Sequence, residues 1–191
     1  PRLVALSPLP ERWFADRTAD GSLADSEGVS GEEALAALAE AGIVRAEGEA
    51  VVLDRSFETE WHEEMASLAD ASPAELRAAV AETDDVPDVS AVRSEGKQWF
   101  VAEGDHALIP LPILVAELAA VRTLPSSLGP ARVAAAPMLR QFLDTCPVCD
   151  ADLVPSSTTS CCGSNRYASE TRVCPACQQR VFTIPDADEG P

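Results

Sequence analysis

Six cysteines are the residues of this 191-residue chain best suited to chemistry, and all six fall between positions 146 and 177. Four of them form two Cys-x-x-Cys pairs, Cys146-Pro-Val-Cys149 and Cys174-Pro-Ala-Cys177, with 24 residues between. A Cys-x-x-Cys turn puts two thiolates on one side of a tight loop and aims backbone amides at the sulfurs. Two such turns joined by a hairpin make a tetrahedral cage of four soft ligands, the site zinc prefers. Soft sulfur ligands argue against magnesium or calcium, which take oxygen. Iron fits the same sulfurs, although the long insert favours zinc. Four thiolates leave no open position for water, so the ion is expected to hold a shape and not to do chemistry.

Cys161 and Cys162 are neighbours in the chain, and neighbours on a strand point to opposite faces, so both cannot join one cage. Cys162, beside Gly163, is an alternate candidate ligand; otherwise the two are spare or packing thiols. A redox reading of the pairs fits less well. A thioredoxin-type pair sits where a strand meets a helix, whereas Cys174 lies between two strand-like runs.

At these residues the segment resembles the zinc-ribbon family, with rubredoxin-like knuckles of the Cys-Pro-x-Cys type. The resemblance covers about 40 residues, 145–184. It implies strands at 153–154 and 166–173, a turn at Gly163-Ser164-Asn165 and a closing strand at 181–184. It also implies structural zinc. Family members usually carry Gly after the second cysteine of each knuckle; Asp150 and Gln178 stand there. Asp tolerates a left-handed backbone better than Gln, so the second knuckle is the more strained. Ribbons of this kind often serve in nucleic-acid, ribosomal and transcription machinery, which is what the resemblance implies about partners.

The rest of the chain must position this module. Ser30-Gly31-Glu32-Glu33 is a capping box that opens a helix with Ala34, Leu35 and Leu38 inward, stopped by Gly42. Hydrophobic pairs around Glu47-Gly48-Glu49 read as a hairpin. Phe57, Trp61, Met65 and Leu68 recur at helical spacing over 57–70. A second capping box, Ser72 to Glu75, opens a helix to about residue 82. A second hairpin spans 89–102 and a fourth helix 111–124. Pro137 is expected to open a last helix over 138–143. A short strand is expected over residues 3–6. The class is α+β: an acidic domain over 1–144 with a sub-boundary near 84–88, a ribbon over 145–185, and an acidic tail over 186–191. The helix and hairpin over 30–55 have the outline of a winged-helix module, but Glu32, Glu33 and Glu40 occupy the surface where a recognition helix carries bases.

No catalytic motif competes with the cysteines. Trp61-His62-Glu63-Glu64-Met65-Ala66 lacks the second histidine of a zinc-protease helix. His62 reads as a helix-surface residue and His106 as part of a loop. Glycine-rich phosphate loops are absent. Trp13, Trp61 and Trp99 read as core residues.

Net charge is −18, from 32 acids against 14 bases, and Lys97 is the sole lysine. The acids are scattered through periodic segments and not gathered into a disordered tail. This pattern resembles the cytoplasmic proteins of halophilic archaea, where concentrated salt screens self-repulsion. No run of residues is apolar and long enough for a membrane span, and the N-terminus lacks a signal layout; a cytoplasmic protein is expected, with Pro1 following a removed Met. The charge is uneven. Residues 1–121 hold eight bases and 25 acids, whereas 122–182 hold six arginines and four acids. A surface left uncoated by acid suits an anionic or neutral partner. Arg166, Arg172 and Arg180 are the candidate contacts. The expectation is a non-catalytic regulator or adaptor meeting nucleic acid, a ribonucleoprotein or transcription machinery. Its alternatives are a protein-only interaction module and an enzyme with an unrecognised N-terminal site.

Overall fold

The computed structural model describes residues 21–24, 28–48, 50–94, 96–103, 108–157 and 170–184. The expected strand at 3–6, Trp13, His106, the 163–165 turn and the tail over 186–191 lie outside the described residues.

Helices start where side chains satisfy their first amides. Helix α1 (Gly31–Glu40) has both halves of its capping box: Ser30 Oγ accepts from the Glu33 amide, and Glu33 accepts from the Ser30 amide at 2.9 Å. The Ser30 backbone and hydroxyl bonds hold the Glu33 carboxyl below its ordinary range. A hairpin of β1 (Val44–Glu47) and β2 (Ala50–Leu53) follows, turning at Gly48 with φ 64°. Helix α2 (Arg55–Ala69) begins two residues before the expected position, because Asp54 Oδ1 accepts from the amides of Ser56 and Phe57. Helix α3 (Pro73–Ala81) has the second capping box, and Ser72 likewise lowers the Glu75 pKa.

Strands β3 (Val89–Ser94) and β4 (Lys97–Ala102) form the second hairpin. Strand β5 (Leu108–Pro110), which periodicity does not reveal in three residues ending in Pro, pairs with β4 through Phe100↔Ile109. Helix α4 (Leu111–Thr123) follows directly. Helix α5 (Ala131–Leu139) corrects the expected break at Pro137, which lies inside the helix. Pro137 cannot donate to the carbonyl four residues back. The helix runs only two residues further before tightening into a 3-10 turn at Arg140–Phe142. A last antiparallel sheet holds β6 (Val154–Ser157), β7 (Glu170–Cys174) and β8 (Gln179–Ile184) in that order.

Helix α4 is the centre of the packing. Every residue from Pro112 to Val121 is buried, the mark of a helix enclosed on all sides. Helices α2 and α5, strands β4 and β5, and β8 of the last sheet surround it. The inward stripe of α2 is the expected one: Phe57, Trp61, Met65 and Leu68 are buried. The Trp61 ring lies flat against Phe57, with centroids 6.0 Å apart, and its Nε1 donates to the Ala116 carbonyl at 3.0 Å.

Glu117 is the exception within this apolar helix, with its side chain 0 % exposed. Both of its carboxylate oxygens accept from Ser22 Oγ at 3.0 Å, and Oε2 also accepts from the Leu23 amide at 2.6 Å. The Arg140 guanidinium supplies the counter-charge, its Nε 3.0 Å from Oε1. That contact lies off the N–H axis and is an ion pair, not a directed bond. The directed bond of Arg140 goes from Nη1 to the Val181 carbonyl on β8.

Two substitutions test this packing. Arg140→Ala removes a buried counter-charge from beside Glu117 and is expected to cost about 3–5 kcal/mol in chemical denaturation. Trp61→Phe keeps most of the ring burial but removes the indole bond to the Ala116 carbonyl, which keeps its helical partner, an expected loss of about 1 kcal/mol at most.

Candidate metal centre

Each cysteine pair sits in a turn built by its own backbone. After the 3-10 turn at Arg140–Phe142 the chain doubles back on itself. The Leu153 amide donates to Asp144, the Cys146 amide to Ala151, and Thr145 bridges Asp152. The loop closes with the Asp150 amide donating to the Cys146 carbonyl at 3.0 Å. The second turn joins β7 to β8, and the Gln178 amide donates to the Cys174 carbonyl at 2.8 Å. Both closing residues are left-handed, Asp150 at φ 54° and Gln178 at φ 53°, the conformation expected where ribbons carry Gly. The Cys177 amide points at Cys174 Sγ, 3.2 Å away.

These turns bring the four sulfurs of Cys146, Cys149, Cys174 and Cys177 within 4.8 Å of one another. Three of the separations are 3.4 Å (Cys149–Cys177), 3.5 Å (Cys149–Cys174) and 3.9 Å (Cys146–Cys177). A tetrahedron with zinc–sulfur bonds of ~2.3 Å has edges of about 3.8 Å, so the cluster has the size of a filled tetrathiolate shell. Cys146 and Cys174 are buried, Cys177 is half-buried and Cys149 is exposed.

The thiols make poor neighbours without a cation. Burial pushes the Cys146 thiol up to about 11, against the opposing pull of the Val148 and Cys149 amides. Burial, then the Cys149 sulfur and the nearby Cys146 charge, push Cys177 up further. For Cys174 burial also acts upward, but the Cys177 amide and the Cys149 and Cys146 thiols outweigh it, and the net direction is down. A divalent ion would let all four ionise.

Among the described residues this is the one group of three or more potential ligands close enough to hold an ion. Cys161, Cys162 and Arg166 lie outside the described residues. Arg172 is half-buried on β7 and Arg180 exposed on β8, with a register shift of the ladder between Arg172 and Val173. His62 is exposed on α2, as expected. Together with Asp70, Asp150 and Cys146 it lines a cleft of about 160 Å³ between α2 and the first cysteine turn. That is below the several hundred Å³ usual for a small-molecule site.

Three of the six arginines counted in residues 122–182 pair with the molecule's own acids, Arg132 and Arg140 in buried positions and Arg122 at the surface. Arg122 meets Glu64 at 2.8 Å, Arg132 meets Asp85 at 3.4 Å, and Arg140 meets Glu117 at 3.0 Å. In the sequence Arg140 is one of six arginines in a charge window and Glu117 only an interruption of an apolar run, so neither names the other. The available signal was a single carboxylate in an otherwise uncharged run over 108–121.

Fold and site together define a mixed helix-and-sheet core followed by a small cysteine-cluster module. The chain belongs to the family of unknown function DUF8054, whose central domain its residues 33–140 match over more than half of the chain. The match runs from α1 to Arg140, and the four cysteines lie beyond it. No curated protein and no solved structure matches the chain.

Elemental analysis is expected to find one divalent ion per chain. Changing any of Cys146, Cys149, Cys174 or Cys177 to Ala should abolish stoichiometric uptake, while Cys162→Ala keeps it. Because binding displaces protons from the thiols, affinity should fall steadily as the pH is lowered. Gln178→Gly removes the left-handed cost at an exposed position and is expected to raise stability by about 1 kcal/mol. Asp150→Gly should gain less.

Proposed function

We propose that the protein is a non-catalytic adaptor or regulator in which structural zinc holds a C-terminal ribbon against the family core. The observation that carries this reading is the closed sulfur cluster: four ligands in mutual range fill a tetrahedral shell and leave no place for a substrate or an activated water. Zinc suits such a shell better than oxygen-seeking ions. Among its described residues the module buries few large apolar side chains, chiefly Leu153, Val181 and Phe182, which fits metal binding as a main source of its folding energy.

The scattered acid with one lysine supports a cytoplasmic protein of a halophilic archaeon, where reducing conditions keep the six cysteines as thiols. Among the described residues no helix is long and apolar enough to cross a membrane.

In this reading the ribbon meets nucleic acid, the ribosome or a transcription complex through Arg166, Arg172 and Arg180. The second reading is a protein partner with no nucleic acid. It is favoured by the ion pairs of Arg122, Arg132 and Arg140, which set half of the counted arginines against the molecule's own acids.

Binding of the zinc-loaded protein to RNA and DNA, measured across a salt series, separates the two. Arg166, Arg172 and Arg180 changed together to Glu should abolish binding, and the wild-type affinity should fall as salt rises. Unchanged binding in the variant, or none by the wild type at any salt, rejects the nucleic-acid reading and leaves the protein partner. A visible charge-transfer band from the purified protein would replace zinc by iron.

A further inference from the structure

We propose that Lys97 is a positioning residue for the metal centre: bonded to the Gln178 carbonyl, it clamps the second cysteine turn in the left-handed form that brings Cys174 and Cys177 to the other two sulfurs. The proposal rests on the metal reading above and deepens it, because it assigns a role at the site to a residue of the family core.

Lys97 is the sole lysine among 14 bases, in a chain with 32 acids. It opens β4, straight after Gly96 at φ 76° in the turn of the second hairpin. Among the described residues no carboxylate pairs with it; the ion pairs there belong to Arg45, Arg122, Arg132 and Arg140. Its Nζ donates instead to the Gln178 carbonyl at 2.8 Å, 81 residues further along the chain. Lys97 lies inside the family match and Gln178 beyond it, so this bond ties the core to the cysteine module.

Gln178 is where the second turn is most costly. It follows Cys177 directly, and its backbone is left-handed at φ 53° without being Gly. One of its peptide groups is tied within the turn, since its amide donates to the Cys174 carbonyl at 2.8 Å. Relaxing toward an ordinary conformation would swing its other peptide group, and that carbonyl is the one Lys97 holds. Gln179 comes next, buried and paired with Cys174 at the start of the β7–β8 ladder. The Lys97 bond therefore acts at the exit of the turn, between Cys177 and the first rung of the sheet. The first turn is braced differently. Asp150 bears a left-handed backbone more easily, and bonds from Leu153 to Asp144 and from Cys146 to Ala151 hold its flanks, with the Thr145–Asp152 bridge. Charge acts in the same direction as the clamp. Four thiolates around a divalent ion keep a net negative charge, and a lysine ammonium is a compact cation beside their turn.

Metal affinity of the full chain, measured by cobalt(II) titration and by competition of zinc with a chelator, tests this. Lys97→Met removes the donor and is expected to weaken both by about tenfold, the low end for residues that support ligands from outside the shell. Lys97→Arg keeps a cationic donor at the same place and should recover most of that affinity. Gly takes the left-handed form without steric cost, so in a Gln178→Gly background the clamp is not needed. Lys97→Met added to that background should change affinity by less than about twofold, a coupling that marks the turn as the route of the effect. Wild-type affinity in Lys97→Met overturns the proposal. So does Lys97→Arg binding no better than Lys97→Met, and so does an undiminished loss in the Gln178→Gly background, which would assign the effect to charge and not to the turn. These three outcomes leave the metal reading standing. A wild-type chain that takes up no metal, seen by elemental analysis, removes the metal reading and this proposal together.

Discussion

A single carboxylate at the centre of an apolar helix constrains the arrangement of the molecule. Placing Glu117 among the buried residues of α4 costs several kcal/mol unless its charge is paired and its oxygens accept bonds. Helix α4 has nothing of its own to offer, since every neighbouring side chain on it is apolar. Its partners include Ser22 and Leu23 on one side of the family match and Arg140 at its end. Arg140 in turn needs an acceptor, and the strand that provides it belongs to the cysteine module. Regions that a linear reading treats as separate are thus joined through one charge.

The cysteine module stands in the same relation to the core. Its two turns are built locally, by amides donating back to the Cys146 and Cys174 carbonyls, and each accepts a left-handed residue that is not Gly. Both conformations carry a backbone cost that the module tolerates because the turns must converge. Four sulfurs this close together could hold a metal ion, and burial pushes the thiols of Cys146 and Cys177 up. Among its described residues the module's apolar core is small, and β8 seats it against α4.

Charge in this protein also acts inwardly. The stretch that looks basic beside a strongly acidic N-terminal part owes half of its arginines to cross-links with that part. Glu64 on α2, Asp85 after α3 and Glu117 on α4 each receive one. The Arg122–Glu64 pair is partly exposed, so salt screens it and its contribution is small. The Glu117–Arg140 pair is shielded from solvent and keeps its force in concentrated salt.

Local signals were legible because their causes are local. Ser-x-x-Glu boxes, the Phe57–Leu68 stripe, the Gly48 turn and the two Cys-x-x-Cys pairs each act within a few residues. Each appears in the structure where the sequence placed it, with α2 starting early because Asp54 is itself a cap. The left-handed sites at Asp150 and Gln178 were legible for the same reason. Pro137 misled because a proline near a helix end reads alike whether it opens one helix or closes another, and packing of α5 against α1 and α4 decided that. Strand β5 was hidden because three residues carry no period; its pairing partner defines it. Glu117 and Arg140 lie 23 positions apart, and nothing within either segment names the other. By itself the sequence determined the capped helices, the two hairpins, the two cysteine pairs and the overall charge, since these follow from neighbouring residues. Only the tertiary structure decided which charges are buried together and which strand satisfies them, because desolvation depends on what the whole chain packs around a group and not on its neighbours in sequence.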